Sequence, residues 1–377
     1  MTDLHNEQAE GIVTEAEQAD LIELMARLPH ALGATEVTGV FKKAAGDFVV
    51  DEVLGFNCTG QGEHVWVQVQ KTMLTTLDVA RRITEVTGVP LKRISYSGLK
   101  DKQGVCSQWF SIHDKSLSES SIQDLDSDNL KILAVSRNSR KLRRGSHGAN
   151  HFRLRLTGLR SKCGTDSSHE LLLSSRLQSI ASRGVPNYFG EQRFGFDNIE
   201  NAFAYFDTSA ERSEQNRTPR ASRTQRSMWL SAARSALFNA VLAERVQHGN
   251  WDSLLDGDVM NLDGTGSVFL ADSEDPALPE RLSGMDIHPT GPLWGKGALR
   301  SLGGTRALEQ ACCLRWPTLC RGLERAGLEQ QRRSLRLPVK RLHYRFFDGD
   351  QLELSFELPA GCFATAVLHE LLDYSQA

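Results

Sequence analysis

Tyr96-Ser97-Gly98-Leu99-Lys100-Asp101-Lys102-Gln103-Gly104 sets one carboxylate between two lysines, on a loop bounded by glycines. Arg93 to Tyr96 reads as a strand before it, and Gln108 to Ile112, with Trp109 and Phe110, as a strand after it. An aspartate on such a loop commonly serves the turn, its side chain capping local backbone. Asp101 can equally do chemistry. An ordinarily exposed aspartate is ionised at neutral pH, the two lysines favour that form, and a carboxylate can attack carbon or accept a proton. Both readings stand on these residues alone.

The surrounding pattern predicts the elements that would hold this loop. Phe48-Val49-Val50, then Val65, Val67 and Val69, alternate with polar positions as half-buried strands do. Thr75-Thr76-Leu77-Asp78 offers an N-cap with an acid three residues on. The helix it starts runs through Val79, Ile83 and Val86 and stops at Gly88. Strands near Ile132–Ser136 and Phe152–Leu156 flank a basic, hairpin-like stretch. A helix over Ser168–Arg183 ends at Gly184, and a glycine- and aromatic-rich loop, Val185 to Gly195, follows as a domain junction. Residues 207–226 read as a polar, mobile connection. A long helix from Ser227 to about Gln247 carries Trp229, Ala233, Leu237, Ala240 and Val241 on one stripe. Leu352, Leu354 and Phe356 form a late strand, and Leu368, Leu371 and Leu372 belong to a closing helix. This is an α+β pattern with a largely antiparallel sheet.

With 377 residues, two domains are expected. Apolar residues make up 40% and charged residues 24%, as in a soluble globular chain. There is no signal peptide and no bilayer-spanning apolar run, so a cytoplasmic protein without a membrane partner is expected. The seven cysteines are scattered without a C-x-x-C pair, which argues against a disulfide framework and a zinc site. The net charge of −3 hides a polarity along the chain. Residues 1–40 hold eight acids and one basic side chain, Arg27, whereas 131–160 hold nine Lys and Arg and no acid. A second basic stretch, 321–345, has eight cations and two acids. Charge runs are often solvated faces, but nine cations without an anion fit a polyanionic partner such as nucleic acid. Lys131 to Arg160, with Arg332, Arg333 and Arg336, are expected to hold it. The acidic first 35 residues contain a predicted amphipathic helix around Leu21, Ile22, Met25 and Leu28, with no role assigned.

Six strings in one order resemble the TruD family of tRNA pseudouridine synthases, from about residue 36 onward. They are Gly46-Asp47-Phe48-Val49-Val50, Gly98-Leu99-Lys100-Asp101-Lys102, Asn150-His151-Phe152, the Val185-to-Gly195 loop, Trp229 to Asn239, and Leu358 to Thr365. The resemblance implies that Asp101 is the catalytic aspartate and that Lys42 faces it. Phe48, Asn150, Phe152 and Phe363 would line the uridine pocket. It implies a pseudouridine-synthase-type catalytic domain, residues 36–183 and 338–377, with a mixed, largely antiparallel sheet. An α/β TRUD domain, 184–337, would be inserted into it, after an acidic extension, 1–35. The implied substrate is tRNA, at the D-arm uridine the family calls position 13, converted by a monomer without metal or cofactor. In that chemistry the N1–C1′ bond breaks, the base turns and C5 joins C1′. An ionised Asp101 could add to C1′ or remove the C2′ proton. Extruding a base costs a few kcal/mol, and an aromatic stack returns about 1–3 kcal/mol. Without the resemblance, Phe48 and Phe152 are ordinary core residues, Asn150 a turn cap and Lys42 a surface lysine. Two other classes compete: an RNA-binding or RNA-folding protein without turnover, and a phosphatase or haloacid-type hydrolase using Asp101. The basic stretch lacks the acid cluster that Mg²⁺ would need in the last.

Overall fold

The computed structural model describes residues 15–118, 120–163, 168–195, 197–207, 221–347 and 349–376. It contains two compact units, one of Thr35–Ser182 with Val339–Ala377 and one of Met1–Ala34 with Arg183–Pro338. The described chain opens with helix α1 (15–26), part of the second unit.

The first unit then runs through β1 (Val37–Phe41), β2 (Phe48–Val53), β3 (His64–Thr72), α2 (Thr76–Thr87), β4 (Ile94–Tyr96) and β5 (Val105–His113). It continues with α3 (Ser120–Gln123), β6 (Leu130–Asn138), β7 (Ala149–Ser161) and α4 (Ser168–Arg183). The alternation along β3 buries Val65, Val67 and Val69 completely. They meet Phe110 and Ile112 of β5 and, from α2, Val79, Ala80 and Ile83. The start of α2 follows from its capping box: Thr75 Oγ1 accepts the Asp78 N–H at 3.1 Å, and Asp78 accepts the Thr75 N–H at 2.9 Å. Gly88 closes the helix in the left-handed region, φ 70°, where a side chain would be strained.

The later segment of the second unit, Arg183–Pro338, begins and ends on one short ladder. β8 (Val185–Pro186) pairs antiparallel with a strand formed by Arg336 and Leu337. Just before it, Gly184 has φ 74°, and a Cβ there would lie 2.4 Å from the Leu337 carbonyl oxygen. Between these ends lie α5 (Asn198–Phe206), α6 (Arg223–Gln247), β9 (Val259–Leu262), β10 (Val268–Leu270), α7 (Leu278–Ser283) and β11 (Ile287–Leu293). After them come α8 (Gly303–Cys313), α9 (Pro317–Arg325), β12 (Gln331–Ser334) and β13 (Arg336–Leu337). The sheet order is β10-β9-β11-β12, every ladder antiparallel. Helix α6 starts four residues earlier than its apolar stripe predicts. Ser222 and Gln225 form a second capping box, so the polar turn 223–226 is helical. The rest of the expected connection, 208–220, lies outside the described residues. The predicted stripe holds: Ala233, Leu237, Ala240 and Val241 are in the core, with Trp229 packed against it.

That core also takes in helix α1 of the acidic N-terminal stretch, to which the sequence assigns no role. Leu21 of α1 is fully buried among Phe203, Trp316 and Leu323, with Ile22, Leu24 and Met25 against the same cluster. Glu17 accepts the backbone N–H and the hydroxyl of Thr318, both at 3.1 Å, and so caps the start of α9. Burial pushes its carboxyl pKa up, against the pull of those hydrogen bonds.

The chain closes in the first unit with β14 (Lys340–Phe347), β15 (Gln351–Pro359), α10 (Ala364–Leu371) and β16 (Asp373–Gln376). The main sheet runs β14-β15-β7-β2-β5-β3-β6, with β1 between β7 and β16, and β4 beside β5. Its ladders are antiparallel except β1–β16 and β2–β5. The mixed, largely antiparallel α+β architecture is as the sequence predicts. No helix among the described residues is long and apolar enough to cross a membrane.

Candidate active site

The loop 97–104 is held near its start and in the middle by side chains from three elements. Gln108 of β5 donates from Nε2 to the Gly98 carbonyl at 2.7 Å and accepts the Thr76 hydroxyl at 2.9 Å. Thr76 Oγ1 in turn takes the Lys100 N–H at 2.9 Å. Lys71, fully buried at the end of β3, donates from Nζ to the Asp101 carbonyl at 2.5 Å and to that of Leu74 at 2.7 Å. Burial pushes the Lys71 pKa down, opposed by the neighbouring Cys106 and Asp101. Gly104 passes so close to β2 that a Cβ there would sit 2.7 Å from the Phe48 carbonyl oxygen.

With its backbone clamped in this way, Asp101 leaves its carboxylate one-third exposed, and Lys42 Nζ meets Oδ2 at 3.2 Å. Lys42 reaches it from an unusual backbone: φ is 59°, the left-handed region that a lysine seldom occupies. Its side chain is nearly buried and its ammonium stands 4.1 Å from the centre of the Phe48 ring. Such backbone strain persists only where neighbours over-determine it, and it clusters at functional sites.

Strand registry supplies the rest of the wall. Val50 pairs with Phe152 and Glu52 with Asn150, so Phe48, Val50, Glu52, Asn150 and Phe152 share one face of the β2–β7 ladder. Glu52 is buried and collects the Ser97 hydroxyl at 2.6 Å, the Trp109 N–H at 3.3 Å and Lys100 Nζ at 3.3 Å. Lys100 Nζ also donates to Asn150 Oδ1. An ammonium only donates, so it fixes which end of the Asn150 amide faces it. Nδ2 is then left as a donor, and no acceptor among the described residues takes it. His147 lies buried beside this pair, with neither ring nitrogen bonded among the described residues. Burial, reinforced by the Lys100 charge, pushes its pKa down. Cys106 sits under the Asp101 carbonyl, Sγ to O 3.7 Å. Burial raises its thiol pKa, which makes it a poor competing nucleophile.

The expected residues are therefore not equivalent. Lys42 contacts both Asp101 and Phe48, and Asn150 is held by Lys100, the residue next to Asp101 in the chain. Phe152 is 5% exposed, 6.3 Å from Phe48 and stacked on Phe356 at 5.5 Å. It forms the back of the wall, with one ring face already covered. Phe363 is half-buried and precedes α10, five residues beyond Leu358, the register partner of Asn150. Phe152→Ala should cost about 3–5 kcal/mol of stability, as aromatic truncations in cores do, whereas Phe152→Tyr should be milder. Thermal melts of the two variants compared with turnover separate a lost wall from a lost stacking face.

Of the expected polyanion-binding residues, Arg332 and Arg336 do not fit. Arg332 is buried in a double contact with Glu309, the closer at 2.6 Å. Arg336 is 4% exposed and donates to His288 Nδ1 and to the carbonyls of Leu282 and Ile287. Arg333 lies 4.1 Å over the Phe189 ring and donates to Asn187. The buried guanidinium groups of Arg332 and Arg336, hydrogen-bonded in this way, are structural. In 131–160, by contrast, every cation except Arg137 is exposed.

The family model for tRNA pseudouridine synthase D (TruD) matches residues 28–202 and 208–371. The chain belongs to the TruD family of tRNA pseudouridine synthases. Members of this family are isomerases. A tRNA pseudouridine synthase D from Pseudomonas aeruginosa (strain LESB58) is 45% identical over 347 residues, 92% of this chain and 93% of the relative. That of Ectopseudomonas mendocina (strain ymp) is 46% identical over 345 residues, 92% and 94% of the two chains. The fold is also that of a solved TruD structure from Methanosarcina mazei, with a TM-score of 0.68 at 20% identity over 91% of this chain and 95% of that one. Helix α1 lies wholly ahead of the matched region.

Proposed function

We propose that the protein converts uridine 13 in the D arm of tRNA to pseudouridine, with Asp101 as the carboxylate acting on the ribose. The observation that carries this reading is the one-third exposed Asp101 carboxylate, clamped through its backbone by Lys71 and oriented at Oδ2 by Lys42. Among the described residues no cation meets Oδ1, which is free to add to C1′ or to take the C2′ proton. The N1–C1′ bond breaks, the detached uracil turns, and C5 bonds to C1′ as the carboxylate leaves C1′ or hands the proton back to C2′. C5 gives up its proton and N1 gains one, so atoms and electrons balance without an oxidant or reductant. In this reading residues 36–183 and 338–377 are the catalytic domain and 184–337 the inserted one.

Asn150 would read the base. With Oδ1 held by Lys100, Nδ2 is available to a uracil carbonyl. The matching edge of cytosine presents an amine, and donor facing donor disfavours it. Phe48, carrying the Lys42 ammonium on its ring, would form one wall. Lys141, Arg143 and Arg144, exposed and without an acidic partner among the described residues, would hold phosphates. Each contributes roughly 0.7–0.9 to the slope of log affinity against log salt. Replacing all three with Ala should therefore weaken tRNA binding and flatten that slope by about two; an unchanged slope would place the RNA elsewhere. The whole reading is tested by mapping pseudouridine in tRNA from cells with and without the protein. Loss confined to the D-arm uridine is expected; an unchanged map overturns the substrate and the reaction together.

A further inference from the structure

We propose that the first unit holds a second nucleotide site beside the catalytic loop, which takes an unpaired base of the same tRNA. It rests on the reading that tRNA is the substrate. The site is a cavity of about 490 Å³ lined by Leu77, Leu91, Tyr96, Lys141, Arg143 and Arg144. That volume lies in the range of small-ligand pockets.

Its floor and rim differ in chemistry. Leu77 and Leu91 are 42% and 44% exposed. Isolated exposed leucines need no explanation, but these two border one concavity with an aromatic ring. The Arg144 guanidinium lies 5.3 Å from the centre of the Tyr96 ring and donates to the Tyr96 hydroxyl at 3.3 Å. A guanidinium laid along an aromatic ring is a platform on which a base can stack. Lys141 and Arg143 add two positive charges at the edge, and none of the three cations has an ion-pair partner among the described residues. An apolar floor under an uncompensated cationic rim matches a nucleotide, which has an apolar face and an anionic backbone.

The rim is also preformed. Its loop is plugged into the core by Leu142, which packs on Leu54 and Trp66. Trp66 Nε1 donates to the Arg140 carbonyl at 3.0 Å, and the Leu142 N–H to Ser111 Oγ at 3.0 Å. The Gly145 N–H donates to the Ser97 carbonyl at 2.6 Å, which ties the rim to the catalytic loop itself. On the other side, Leu77 follows Thr76, the residue that holds the Lys100 N–H. The cavity and Asp101 thus share their supports, and the base bound here should be a near neighbour of the target uridine.

The test is a coupling experiment on tRNA binding, read independently of turnover. Transcripts carrying a single abasic residue at successive positions on either side of the target uridine are titrated with wild type and with Leu77→Asn/Leu91→Asn. Both leucines are exposed and neutral, so the fold and the charge should persist, as thermal melts check. For one position, the lesion should weaken wild-type binding about tenfold to a hundredfold. The variant should bind intact transcript weaker by a similar factor and be indifferent to that lesion. Losses that simply add at every position, or a variant that binds intact transcript as wild type does, overturn the second site. The latter result would leave the groove to a protein segment. Pseudouridine formation by wild type on the intact transcript reports separately on the catalytic reading, so either claim can fail alone.

Discussion

Asp101→Asn should form no detectable pseudouridine in a single-turnover assay with excess enzyme, while binding tRNA within about tenfold of wild type. Asparagine has nearly the shape of aspartate but neither adds to C1′ as a leaving anion nor accepts the C2′ proton. The fold should survive, because the loop is held through the Asp101 carbonyl, which Lys71 keeps whatever the side chain. Tenfold corresponds to about 1.4 kcal/mol, and in the proposed reading binding rests on the exposed cations rather than on this carboxylate. Asp101→Glu keeps the charge but moves it by a methylene, away from the 3.2 Å contact with Lys42. A displacement of about 1 Å can cost a hundredfold, so this variant should be severely impaired too. Near-normal product from Asp101→Asn would sink the assignment and the chemistry built on it.

A loss of stability as large as that expected for Phe152→Ala comes from a residue that does not touch the target. Glu52→Ala would leave the Lys100 ammonium, only 7% exposed, with the Asn150 amide oxygen and no anion. It would also strand the Ser97 hydroxyl and the Trp109 N–H. Removing one partner of a buried pair costs about 3–5 kcal/mol, and denaturant unfolding should show a loss of that size. Activity should fall as well, since Lys100 adjoins Asp101 and orients Asn150. Glu52→Ala/Lys100→Met should recover part of the stability but little of the activity, because the charge is no longer stranded while Asn150 is free to turn. Equal stability of wild type and Glu52→Ala would show that the pair contributes nothing.

Much of the site is legible as breaks in a pattern. Val65, Val67 and Val69 alternate inward along β3, and the next inward position is Lys71. Phe48 and Val50 alternate inward along β2, and the next is Glu52. A charged side chain in the core-facing phase needs a buried partner, so both residues announce themselves. Sequence reasoning that tracks only motif strings passes over them, as it passes over Thr76 and Gln108, whose hydroxyl and amide hold the loop. Lys42 is different. Nothing in its neighbours marks the left-handed backbone that turns it toward Asp101, because that conformation is imposed by contacts made elsewhere in the fold. Arg332 and Arg336 show the opposite failure. A run of cations looks the same whether it faces solvent or fills a core with satisfied forks.

The sequence by itself determined the α+β class, the inward and outward phases of β2 and β3, the helix start that the Thr75–Asp78 capping box marks, and the family. These depend on residues within a turn or two of one another, where steric preference and local hydrogen bonds decide. Tertiary structure alone decided which charges are paired and which are free: Lys71 on the Asp101 carbonyl, Lys100 between Glu52 and Asn150, Arg332 on Glu309, and Glu17 on α9. Each of those contacts joins residues 23 to 301 positions apart in the chain. A charge's role depends on its distance from the next charge and from water, and neither distance exists until the chain is folded.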